Sequence, residues 1–250
     1  FGLSNFNFLP DAAVRKQKFT SGDIHFGVKS TDTELPLQFS AETNLMLYER
    51  QYDLGISDSQ ENIIRTKAQV AGSISEEQII GIAFAMDNVF YKNNDFENYT
   101  SLNLNPHYRL ENDDWKIRLG AQVDMAFGFG KKFRAAPDVS VEYNFSDSYI
   151  LYAQAKGGKL QNDFRRLETF CPYGQITPQL DATYEQLNTA IGFKASPAAG
   201  LWLNLYGGYQ NLKDDLFFQP TILTPAASEP YPMLSINQWN TSNFYAGAEL

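Results

Sequence analysis

Two histidines, His25 and His107, and one cysteine, Cys171, are the chain's whole supply of the side chains most often used as bases, nucleophiles and soft metal ligands. A Ser-His-acid site needs a marked nucleophile beside its base and an acid to orient that base. Neither histidine has such a neighbourhood, and both fall on the polar side of alternating stretches. A transition-metal site needs clustered His, Cys and carboxylate. The acid pairs Asp113-Asp114 and Asp214-Asp215 stand at ends of apolar stretches and read as solvated turn charges rather than calcium ligands. Gly128-Phe129-Gly130-Lys131-Lys132 has no helix pattern behind it, so it reads as a turn and not a phosphate loop. A single cysteine closes no intramolecular disulfide, and Cys171 reads as an inert thiol. The expectation is a protein that is not an enzyme, with no catalytic residue, metal or cofactor.

Binding is a different matter. Segments 158–183 and 219–240 interrupt the alternating pattern and read as long loops. They carry Arg165, Arg166, Tyr173, Tyr231 and Trp239, the candidates for ligand contact, because rigid aromatics and forked guanidinium groups dominate recognition surfaces. The formal net charge of −9 excludes nucleic acid as a partner, since phosphate neutralisation needs clustered Lys and Arg.

The elements that would position these residues are strands. Trp115, Ile117, Leu119, Ala121, Val123, Met125 and Phe127 occupy every second position, and Lys116, Arg118, Gln122 and Asp124 lie between them. Successive strand side chains point to opposite faces, so this stretch has one greasy and one polar side. Similar stretches are read at 21–29, 35–50, 64–73, 78–91, 101–109, 133–145, 149–157, 187–195, 201–209 and at the C-terminal end, about eleven in all. Several reach about thirteen residues, whereas soluble strands cluster near five or six. No run of eighteen apolar residues exists, so no spanning helix is expected. Long two-faced strands with short turns on one rim and longer loops on the other fit an antiparallel up-and-down transmembrane β-barrel, present here in part. Arg118, Gln122, Asp124, Asp138 and Glu142 are expected to line its lumen. Trp115, Phe145 and Tyr149 predict an aromatic girdle at the short-turn rim, with Phe90, Phe127 and Phe133 toward the other. A soluble β-sandwich with the same greasy face as its core remains the alternative.

Three finer expectations follow. Residues 10–18, opening on Pro10, predict a short helical turn. Pairing of 115–128 with 133–145 predicts Arg118 opposite Glu142 and Gln122 opposite Asp138, which keeps like charges apart. Pro106 and Pro137 each remove a ladder donor, and bulges or local edges are expected there. The chain reads as a single unit and as a piece of a longer protein.

One hairpin carries a resemblance. Tyr184-Glu185, Gly192-Phe193-Lys194, a tight turn at 196–200, the aromatic strand Leu201-Trp202-Leu203-Asn204-Leu205-Tyr206, and Asn211-Leu212-Lys213-Asp214-Asp215 resemble a late barrel hairpin of TonB-dependent outer-membrane receptors. The match covers residues 184–216. It departs in the spacing between Tyr184-Glu185 and Gly192, and in lacking a Pro-Glu before the first strand. The resemblance implies the barrel portion of a bacterial outer-membrane receptor, without its plug. It also implies energised uptake of a small nutrient ligand, with outer-membrane lipid and a TonB-type energy-transducing protein as partners. A plugless channel or porin-like conduit, and a soluble all-β binding module, stay open as alternatives.

Overall fold

A computed structural model describes residues 2–7, 16–32, 36–51, 59–146, 148–171, 174–175, 178–198, 200–223 and 231–250. Eleven long strands build one sheet: β2 (Lys16–Lys29), β3 (Leu37–Gln51), β4 (Ser59–Ser73), β5 (Gln78–Lys92), β6 (Tyr99–Glu111), β7 (Trp115–Phe127), β8 (Phe133–Ser146), β9 (Tyr149–Leu160), β11 (Thr183–Ala198), β12 (Leu201–Leu223) and β13 (Tyr231–Glu249). Each pairs antiparallel with its neighbour in chain order. The short β1 (Gly2–Asn7) extends the sheet beyond β2, and β10 (Gly174–Gln175) pairs parallel with the edge of β13. The one helix among the described residues, α1 (Phe164–Phe170), lies between β9 and β10.

Alternation decides the two faces. On β5, Ile80, Ile82 and Phe90 are exposed while Asp87 and Val89 between them are buried. Ile24, Phe26, Phe39, Val70, Leu119 and Leu151 are also exposed, Phe26 to 72%. Exposed apolar area of this extent needs a hydrocarbon solvent rather than water. Counting about eleven residues from the short-turn rim as the lipid-spanning part, the span covers 63–73 of β4, 78–88 of β5 and 101–111 of β6. The upper strand ends, Glu61, Tyr91 and Tyr99 among them, stand above it. Aromatics mark the lower boundary: Trp115 stacks on Tyr143 at 4.4 Å, and Phe145 stacks on Tyr149 and Phe193 at 5.7 and 6.2 Å.

The sheet curls. Phe19 on β2 and Tyr48 on β3 share one buried cluster with Leu216 on β12 and Ile236 on β13. Phe164, Leu167 and Cys171 fill the space between them.

Four expectations are corrected. The β7–β8 pairing places Trp115 opposite Tyr143, Lys116 opposite Glu142, Arg118 opposite Ser140 and Gly120 opposite Asp138, two residues from the expected register. The faces are unchanged because the shift is even. Ring stacking of Trp115 on Tyr143 and the hairpin's own turn set this register. Gly128 and Gly130 have φ of +98° and +92°, and a Cβ on Gly128 would lie 2.7 Å from the Asn98 carbonyl oxygen. Pro106 and Pro137 cause no register shift. Pro106 leaves Ala121 without a backbone donor, and the Asn105 side-chain Nδ2 donates to that carbonyl instead at 3.2 Å. Pro137 pairs in register with Ala121, and the β8–β9 ladder stops beside it at Asp138. Most of 219–240, read as loop, is strand. β12 and β13 pair from Leu212–Thr241 up to Leu223–Tyr231, while β11 leaves β12 at Lys213. Above that point one edge of β12 has no partner strand among the described residues, so Pro220 fits there. Of the helical turn expected over 10–18, residues 16–18 belong to β2 and residues 10–15 lie outside the described residues.

Candidate functional site

The inner face carries polar ladders because every second residue of each strand must face away from lipid. At its middle, Arg118 Nε donates to Asp138 Oδ2 at 2.8 Å and Arg118 Nη2 to Asn105 Oδ1 at 2.8 Å. Asn105 Nδ2 donates in turn to Asp138 at 2.9 Å. Asn103 Nδ2 bridges Gln122 and Asp124 at 3.0 and 2.9 Å. Glu142 faces Lys194 at 4.0 Å. Of the five lumen candidates, Arg118 meets Asp138 in one network, Gln122 and Asp124 share Asn103 in another, and Glu142 stands beside Lys194.

Higher up, a second network forms around Asp87. Arg65 Nε donates to it at 2.6 Å, and Lys159 stands 3.9 Å away while also donating to Ser101. Arg65, Asp87 and Lys159, with Asn103, Gln122 and Arg166, wall a cavity of about 520 Å³. That volume suits a small ligand.

Over the cavity's upper edge lies α1. Its formation is local: Asp163 accepts the Arg166 N–H at 2.9 Å as an N-cap, and Phe164, Leu167 and Cys171 form its buried stripe at helical spacing. Phe164 makes edge contacts with Tyr48 and Phe96 at 5.9 and 6.1 Å. The Phe164 amide donates to Glu61 at 2.9 Å, and Tyr48 hydroxyl donates to Glu168. Burial pushes Asp163 above the usual carboxylate range and draws Arg166 below the usual guanidinium value.

The ligand candidates separate in this arrangement. Arg165 is a tether: Nη1 donates to Asp23 at 2.7 Å and Nη2 to the Gly22 carbonyl at 3.1 Å, fixing α1 to β2. Arg166 lines the cavity. Trp239 is 59% exposed on the side of β13 away from Ile236 and Gln238, so it does not meet the cavity. Tyr231 opens β13, but its side chain, like all of Tyr173, lies outside the described residues. Sequence reading missed α1 itself and the anchor Glu61. Asp163 followed by apolar residues at 164, 167 and 171 is the only local signal of α1, a cap and a stripe too short to stand out by periodicity. Glu61 falls just before the stretch read at 64–73, and it belongs to β4 on the same face as Ile63 and Arg65. No group of three or more His, Cys, Asp or Glu side chains able to hold a metal ion occurs among the described residues.

This geometry defines a class: a membrane β-barrel wall, greasy outside and polar inside, with an inward-folded segment at the long-loop rim. Solved structures sharpen it. The chain superposes on the siderophore receptor PirA from Pseudomonas aeruginosa with a TM-score of 0.68 at 9% identity, covering 94% of this chain and 47% of that one. The FrpB iron transporter from Neisseria meningitidis (F3-3 variant) gives 0.63 at 12% identity, with 94% and 42% covered. The copper transporter OprC gives 0.54 at 10% identity, with 94% and 44% covered. The fold is that of the barrel of TonB-dependent outer-membrane receptors, and the chain spans about half the length of the receptors it matches. No protein-family model matches the sequence, and no curated protein does.

Proposed function

We propose that this chain is barrel wall of a bacterial outer-membrane receptor that captures a small metal-chelate nutrient at its long-loop rim and imports it with energy from a TonB-type partner. The observation that carries the reading is the combination of receptor-barrel fold with a polar, ligand-sized cavity under the inward-folded α1. The solved relatives by fold are a siderophore receptor and iron and copper transporters, which supports a metal chelate as cargo. An open conduit is disfavoured by the packing of α1 against both ends of the curled sheet.

The test uses the full-length protein in its own cells. Membrane fractionation is expected to place it in the outer membrane. Deleting it should abolish uptake of one radiolabelled ferric-siderophore or copper-chelate probe, and removing the TonB-type protein should do the same. Recovery in the soluble fraction, or uptake of every probe unchanged by deletion, overturns the reading.

A further inference from the structure

Glu61 is a buried acid that the receptor reading does not use. It is 1% exposed, and it forms no ion pair among the described residues. Oε1 accepts the Phe164 amide at 2.9 Å, so its one backbone contact outside β4 is the first residue of α1. Oε2 is buried, without a hydrogen bond of ordinary geometry. The ionisable groups around it are Tyr48 directly across on β3, Tyr91 from β5, Tyr99 from β6, and Asp163 and Arg165 from the α1 segment. Arg165 gives its ion pair to Asp23, and Arg65, next on the same face of β4, gives its own to Asp87. A carboxyl in this place is accommodated when neutral and costly when charged.

We propose that Glu61 is a proton-operated latch: while protonated it holds α1 down over the cavity, and on ionising it lets the segment lift. This rests on the reading of that cavity as the receptor's ligand mouth. Burial, reinforced by Asp163, pushes Glu61 up from about 4.5 to about 8, and the Phe164 amide, Tyr91 and Arg165 offset only part of that. Once α1 lifts, water reaches Glu61 and its affinity for the proton returns to the ordinary range. The docked state thus holds one more proton than the lifted state between those two values. Docking is fully favoured below about 4.5, weakens about tenfold per pH unit as pH rises, and levels off above about 8. Asp163, also raised by burial, acts in the same direction. An acidic medium keeps the mouth roofed, and a neutral to alkaline one loosens it.

Cys171 is a built-in reporter. It is buried in the same cluster, just after α1, and its amide donates to Leu167 at 2.9 Å. The experiment measures alkylation of Cys171 by N-ethylmaleimide in the full-length protein in detergent micelles, read by peptide mass spectrometry from pH 5 to 9. Wild type is compared with Glu61→Gln, whose amide oxygen can still accept the Phe164 N–H. Taking the ratio of the two rates cancels the thiol's own ionisation. The ratio should climb about tenfold per pH unit up to pH 8 and then flatten. A ratio flat across the range overturns the latch. Asp163→Asn keeps the helix cap and should keep the climb; its loss there overturns the assignment to Glu61. Hydrogen exchange of the 164–170 amides in wild type, corrected for intrinsic rate, should lose protection over the same window, and constant protection overturns the latch even if the variants misfold. No ligand is present in these measurements, so their failure leaves the receptor reading to its own uptake test.

Discussion

Arg118 shows how one side chain holds the inner wall. It donates to both Asp138 and Asn105, and Asp138 is nearly buried. Arg118→Ala leaves the Asp138 carboxylate with the Asn105 amide alone. The expected loss is about 2 kcal/mol, in the range for hydrogen bonds to a charged group. Urea unfolding of the protein folded into lipid vesicles checks it, and Arg118→Lys should recover only part, because an ammonium cannot span both acceptors as the guanidinium fork does. At this scale alternation tells which residues share a face, since the side-chain period of a strand is two. It did not tell who bonds to whom: the register fell two residues from the charge-based expectation, because Trp115 on Tyr143 and the Gly128–Gly130 turn weigh more than a solvated charge pair.

Among elements, register is pinned by tyrosines laid over glycines. Tyr152 lies opposite Gly192, Tyr206 opposite Gly247 and Tyr245 opposite Gly208. A Cβ on Gly192 would come within 2.3 Å of the Tyr152 ring. The ring covers backbone that the missing side chain leaves bare, a known device for rescuing glycine in sheets. Gly192→Ala should therefore destabilise the β9–β11–β12 region by about 1–3 kcal/mol, the usual range for overpacking, read as a lowered urea midpoint. Helix α1 obeys different forces. Its Asp163 cap is worth about 1 kcal/mol, so Asp163→Ala should raise hydrogen exchange at 164–170 about fivefold while the strands stay protected. Such a confined change would mark α1 as a separately opening unit. The strands were legible because their pattern repeats. The helix was not, because seven residues barely complete two turns of periodicity, and its packing partners come from β2 to β5 and from β12 and β13.

For the whole molecule the decisive boundary is between hydrocarbon and water. Leu119 is exposed on the outer face near the middle of the span. Leu119→Arg should cost about 2–4 kcal/mol, the penalty for a cation at the bilayer midplane, seen as reduced folding into vesicles. Gln69→Arg, on the inner face of β4, should fold at the wild-type yield. Equal losses at both positions would mean that the two faces are not solvated differently.

Alternation of greasy and polar residues, strand length and turn spacing are local properties, and they determined the two-faced barrel strands and their approximate number. Contacts between residues far apart in the chain have no local signature. Only the tertiary structure could decide that Asn105 replaces the donor Pro106 lacks, that residues 219–223 and 231–240 are strand, and that α1 folds inward onto Glu61. The physical reason is that a strand's face is fixed by its own backbone, whereas the partner of a buried polar atom is chosen by whichever distant segment the curled sheet brings beside it.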